Sequence, residues 1–151
     1  MSSAARGDAR SVLLASEGRP FPRPALDAAA SLVADGGHVY VFAVVRVWGT
    51  SFGFPNPGLL PTKREWDTHR EVVTDAVKAL RKRGVEADGR VVATRKATKR
   101  IVGEAARLGC QAIVMPADPP RNRFLGDLMW SQEAHRVRRR AKVPVHLVEP
   151  S

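Results

Sequence analysis

The chain has one cysteine, Cys110, in 151 residues, so it can close no internal disulfide. That excludes the small disulfide-stapled folds and fits a reducing compartment. No run approaches the roughly 20 apolar residues that a membrane-spanning helix needs, and Met1 to Arg10 lacks the apolar centre of a secretion signal. A soluble, cytoplasmic protein is the expectation. Acids are few beside bases, 15 against 25, for a formal net charge of +10. Such an excess favours anionic partners without choosing among nucleic acid, nucleotide phosphates and acidic lipid. Histidine is sparse as well: His38, His69, His135 and His146 are scattered without metal-ligand spacing. Ser16 has no glycine-flanked elbow and no histidine is brought near it by the element order, so no nucleophile and base stand together. Catalysis is not expected.

What is present fits one ordinary domain, large enough to bury a core unaided. Residues 1–10 read as a loose tail and 11–151 as the domain. Val12 to Ser16 is a first apolar strand, followed by Glu17 and Gly18. Leu26, Ala29, Ala30 and Val33 recur at helical spacing, and Gly36 and Gly37 are expected to stop that helix. His38 to Val47 is nearly all apolar and β-branched, as in a strand buried on both faces. Trp66, Val73, Ala76, Val77 and Leu80 stripe a helix from about Lys63, with Arg81, Lys82 and Arg83 complementing its negative end. Val85 to Thr94 is a more polar strand, expected near a sheet edge. Ala97, Ile101, Ala105 and Leu108 make the next helix, stopped by Gly109 before a strand from Gln111 to Met115. Trp130, Ala134, Val137 and Ala141 make the last helix, and Val143 to Val148 the last strand. Strands alternating with helices in this way imply a parallel sheet with right-handed crossovers, an α/β doubly wound fold of five strands.

Three features stand outside that pattern. Trp48 to Thr62 has three prolines, Trp48, Phe52 and Phe54, and neither period, so it reads as a long loop whose aromatics either fold back on the core or are covered by a partner. Cys110 lies between Gly109 and an apolar run, where a buried, inert thiol is expected. Two basic groups are conspicuous. One, His135, Arg136, Arg138, Arg139, Arg140 and Lys142, lies on the final helix off its apolar face, as a solvated surface would. The other, Arg95, Lys96, Lys99 and Arg100, opens a helix where cations oppose the dipole, which favours an external anion.

The acid and glycine after the first strand (Glu17, Gly18), Ala25 and Leu26 opening the first helix, the sequence Ala105, Ala106, Leu108, Gly109 leading to Ile113, Val114, Met115, and the Val143, Pro144, Val145 turn carry a family resemblance. In order and spacing the chain resembles the universal stress protein (UspA) family from Val12 to Val148. The resemblance implies an open Rossmann-like sheet of strand order 3-2-1-4-5 and a homodimer paired through the last strand. It also implies a branch that binds ATP and a branch that does not. In the binding branch the methionine is followed by G-x-x-G, about nine residues and G-S or G-T, glycines that let backbone N–H groups reach phosphate.

That loop is eroded here. Met115 matches, but the glycine positions hold Pro116 and Pro119, which have no N–H to donate. The late glycine and hydroxyl fall on Trp130 and Ser131, or on Ser131 and Gln132 in the ungapped register. Gly126 reads as a turn before Asp127, a helix N-cap. By resemblance, Glu17 takes the place of the acid that contacts the nucleoside, Ser16 adjoins it, and Val44 or Val45 would offer backbone to an adenine. Arg121 and Arg123 could hold phosphate by side chain. The candidate ligand residues are therefore Ser16, Glu17, Val44, Met115, Arg121, Arg123 and Ser131, with no catalytic or metal-binding residue. A stress-related regulatory or binding domain without resident ATP is expected. The alternatives are a nucleotide or other anion held by arginines, and a basic nucleic-acid-binding module, the latter without any recognised motif.

Overall fold

The computed structural model describes residues 7–47, 50–51, 54–55, 62–117 and 133–149. Its elements are β1 (Ala9–Ser16), α1 (Arg23–Leu32), β2 (Val33–Arg46), β3 (Thr50–Ser51), β4 (Phe54–Pro55), α2 (Lys63–Lys82), β5 (Glu86–Thr94), α3 (Ala97–Arg107), β6 (Ala112–Pro116), α4 (Glu133–Arg140) and β7 (Val145–Val148). Five strands form one parallel sheet in the order β5-β2-β1-β6-β7. In chain order of the sheet strands this is 3-2-1-4-5, the doubly wound arrangement expected.

The strand alternation sends successive side chains to two cores. Val12 and Leu14 of β1, with Val39 and Val41 of β2, meet Ala25, Leu26 and Ala29 of α1 and Val73, Ala76, Val77 and Leu80 of α2. Leu13 and Ala15, with Phe42, Val44, Ile113 and Met115, meet Ala97, Ile101 and Ala105 of α3 and Ala134 and Val137 of α4. Both faces of β1, β2 and β6 are thus covered, which accounts for their near-continuous apolar runs. β5 lies at the edge, and its pattern is correspondingly polar. Among the described residues no helix is long and apolar enough to cross a membrane.

Several boundaries differ from the sequence reading. β1 begins at Ala9, inside the segment read as a tail, because the buried Ala9 pairs with Val33. α1 ends at Leu32 and β2 starts at Val33, so Gly36 and Gly37 do not stop a helix. They lie in a slip of the β1–β2 register, where Ala9 faces Val33 but Ser11 already faces His38. Gly36 takes up that slack at φ 79, a left-handed conformation that glycine adopts without strain. β6 runs one residue further than Met115: Pro116 pairs with Val148, and the next N–H, of Ala117, donates to the Val148 carbonyl at 3.0 Å. β7 starts at Val145, and Val143 and Pro144 form the turn into it. The stretch read as featureless loop contains a short antiparallel pair, Thr50–Ser51 with Phe54–Pro55. Trp48, Phe52, Gly126, Asp127 and Trp130 lie outside the described residues.

Candidate functional site at the carboxyl end of the sheet

β1 is the shortest reach among its neighbours at this end of the sheet. Its last residue, Ser16, pairs with Ala43, whereas β2 continues to Arg46 alongside Thr94 of β5. On the other side β6 continues through Met115 and Pro116, paired only with β7. The chain winds outward in both directions from β1, so a crevice opens above Ser16 at the switch point where α/β sheets hold ligands.

The turn after β1 is fixed locally. The buried Ser16 hydroxyl donates to the Arg19 carbonyl at 2.9 Å. Gly18 sits at φ 105 with the His69 ring against it, and a Cβ there would run into Nε2. That ring is held by Nδ1–H donating to the Glu65 carbonyl at 2.7 Å, one turn back on α2. Glu17 is thereby aimed over the crevice with its side chain only 12% exposed.

Across the crevice Arg46 faces two carboxylates, Glu17 Oε2 at 3.8 Å and Glu133 Oε1 at 3.3 Å. Glu133, in the first turn of α4, is 2% exposed. Its Oε1 also lies 3.4 Å from Arg136 Nη1, and its Oε2 accepts a hydrogen bond from the buried Thr98 hydroxyl of α3. A carboxylate this deep is tolerable only when paired and hydrogen-bonded, and this one is both. Cations dominate the surroundings. Among the described residues an open groove of about 750 Å³ is lined by Arg46, Arg95, Lys96, Lys99, Arg136 and Arg140, with Glu133 as the carboxylate. No cluster of three His, Cys, Asp or Glu suited to a metal occurs among the described residues.

Of the residues singled out from sequence, Ser16 and Glu17 stand at the crevice. Val44 and Met115 are 0% and 1% exposed and belong to the core under α3 and α4, forming floor and not wall. β2 does run on past its last pair with β1 at Ala43, so the backbone of Val44 and Val45 is not paired to β1. Arg121, Arg123, Ser131 and Pro119 lie outside the described residues. Cys110 is buried, and burial, followed by the charge of Glu104, pushes its thiol up to about 11, which leaves it inert. Arg46, Thr98 and Glu133 were missed. The signal available was Arg46 itself, the charge that ends the run Val39 to Val45 of apolar and aromatic residues.

The universal stress protein family model matches residues 9–149. The chain belongs to the universal stress protein family. Among solved structures, this universal stress protein is similar to a family member from Burkholderia pseudomallei, at 26% identity and TM-score 0.66 over 94% of this chain and 96% of the other. It is also similar to the Archaeoglobus fulgidus universal stress protein in complex with dAMP, at 21% identity and TM-score 0.64 over 91% and 94%. A third likeness is to an Arabidopsis thaliana family member with AMP bound, at 14% identity and TM-score 0.57 over 93% and 92%. Among curated proteins no relative was found.

Proposed function

We propose that this universal stress protein is a cytoplasmic regulatory binding domain, not an enzyme, and that it does not hold ATP through a glycine loop. The observation that carries this reading is at the end of β6. Pro116 has no N–H, and the following N–H, of Ala117, is already engaged by Val148. Backbone that the family's binding branch turns toward phosphate is here still part of the sheet. Glu17 and Glu133 add to the argument, because a triphosphate entering the crevice would meet two carboxylates that already share Arg46.

Structures of relatives with dAMP and AMP bound make adenine nucleotide the ligand to test first. Calorimetric titration of ATP with Mg²⁺ into nucleotide-free protein is expected to give no micromolar binding. Micromolar ATP binding abolished by exchanging Arg121 and Arg123 for alanine would replace this reading with the arginine-held nucleotide. A second part of the proposal is a homodimer through the outer edge of β7, which among the described residues pairs only with β6. An exposed apolar edge invites pairing with a second copy. Sedimentation at low micromolar concentration is expected to show a dimer, and a monomer would sink that part.

A further inference from the structure

The basic groove continues beyond the crevice. A second depression of about 460 Å³ shares Arg95, Lys96, Lys99 and Gly103 with the first and runs on to Arg100. The two together form one track along the opening turns of α3, from Arg140 on α4 to Arg100, with Lys96, Lys99, Arg100 and Gly103 on one face of the helix. Arg95, Lys96, Lys99 and Arg140 are exposed and make no salt bridge with a described carboxylate. Like charges this close repel one another unless an outside anion neutralises them. α3 does nothing to relieve them, since it has no acid in its first turn and its N-cap, Lys96, makes no side-chain cap.

Gly103 is the independent observation. It lies in the interior of α3, where glycine weakens a helix. Packing does not require it, because nothing lies within 4 Å of where a Cβ would be, and its φ is not in the left-handed region. Its consequence is space, in the part of the track common to both depressions. A helix that opens on cations without a described carboxylate to pair them, with a groove beside them, is suited to an extended anion.

We propose that this track binds a linear polyphosphate, a chain of phosphates recognised without a base. A single phosphate would use two or three of these cations, whereas the track spreads them along its length. Among the described residues no aromatic ring lines either depression, so these residues offer none of the stacking that holds single-stranded nucleic acid. The proposal rests on the reading above in one respect, that the crevice is not already filled by ATP.

The test is titration of a labelled short linear polyphosphate into the full chain over a range of salt. The reversal pair Lys96→Glu with Lys99→Glu is compared with Arg64→Glu with Lys78→Glu, which makes the same charge change on exposed positions of α2. The α3 pair is expected to weaken binding at least tenfold and to lower the salt slope by about one to two, with the α2 pair within about threefold of the parent. Gly103→Leu, at unchanged charge, is expected to weaken binding about fivefold without loss of thermal stability. No polyphosphate binding overturns the proposal, as does equal loss in the two pairs, which would mean net charge alone. Equal or tighter binding of a duplex oligonucleotide of matched phosphate number, lost with the α3 pair, overturns it in favour of nucleic acid. ATP is titrated in parallel: tight ATP binding that survives the α3 pair and is lost with Glu17→Ala defeats only the reading that the crevice holds no ATP, while the polyphosphate response decides the track.

Discussion

Helices α2 and α3 flank the same sheet from opposite faces and are built on opposite terms. α2 begins with a capping box, Thr62 accepting from the Glu65 N–H at 3.1 Å while Glu65 reaches back, and ends on Arg81 and Lys82. Each choice suits the helix dipole and the free backbone groups at its ends. It buries only Val73, Ala76, Val77 and Leu80. α3 begins uncapped among cations, carries a glycine in its interior, and buries Thr98 and Glu104 beside its apolar residues. One helix is written for stability. The other departs from that pattern at the groove, in its missing side-chain cap and in Gly103, and sites are where local rules are broken.

If the two helices differ only in those departures, their apolar anchors should be equivalent, and this is the largest effect available to test. Leu80 on α2 and Ile101 on α3 are both 0% exposed. Leu80→Ala and Ile101→Ala should each lower unfolding free energy by about 3 kcal/mol, the usual cost of a buried cavity. Urea denaturation midpoints measure it. A much smaller loss at Ile101 would mean that the α3 layer is loosely packed throughout and that the contrast is not confined to its groove.

Glu104 separates the helices next. It is 4% exposed and is held by Arg107 Nη2 at 2.8 Å and Arg90 Nη1 at 3.2 Å. Burial pushes its carboxyl up, but the Arg107 hydrogen bond and the charges of Arg90, Arg107 and Arg100 outweigh that and hold it below the ordinary glutamate value. A carboxyl depressed by folding contributes stability that is complete above its unfolded value and is lost as pH falls through the lower folded value. Glu104→Gln should therefore cost about 1–2 kcal/mol at neutral pH, in keeping with a lost charged hydrogen bond, and should flatten the acid limb of the stability profile. Glu71→Gln, on the exposed face of α2, should change neither. An acid limb unchanged in Glu104→Gln would show that the triad is not what sustains the folded state there.

α2 was also the more legible helix. Its stripe from Trp66 to Leu80 and the bases at its end are local facts, and local facts survive in sequence. The misread boundaries were those where a local signal had a nonlocal cause. Gly36 and Gly37 have the form of a helix stop, but Gly36 serves a register slip that depends on which residue of β1 lies opposite. Pro116 was read as the start of the loop after Met115, at a glycine position of the family's phosphate loop, yet it ends β6: β1 no longer pairs beside it, and the bond to β7 is made by the N–H of Ala117. The crevice divides in the same way. Ser16 and Glu17 were visible because the end of a first strand is a local feature. Thr98 and Glu133 meet across 35 positions, and nothing near either one announces the other. Arg46 joins them only because β2 overshoots β1.

Capping gives a smaller and sharper contrast. Removing the box with Thr62→Ala should destabilise by about 1 kcal/mol, seen as a lower thermal midpoint. Lys96 at the corresponding place on α3 is the reverse case. Aspartate there would supply both the missing cap and an acid at the positive end of the dipole, so Lys96→Asp should stabilise by about 0.5–1 kcal/mol. Gly103→Ala should add about 0.5–1 kcal/mol, the ordinary gain for replacing an interior helical glycine. Both gains should appear as raised thermal midpoints in the absence of any anion. With polyphosphate present the gain from Lys96→Asp should shrink or reverse, because ligand binding stabilises the parent by mass action and the variant less. A gain that persisted unchanged at saturating polyphosphate would mean that the uncapped start of α3 serves no anion at all, and that its departure from the pattern of α2 has another cause.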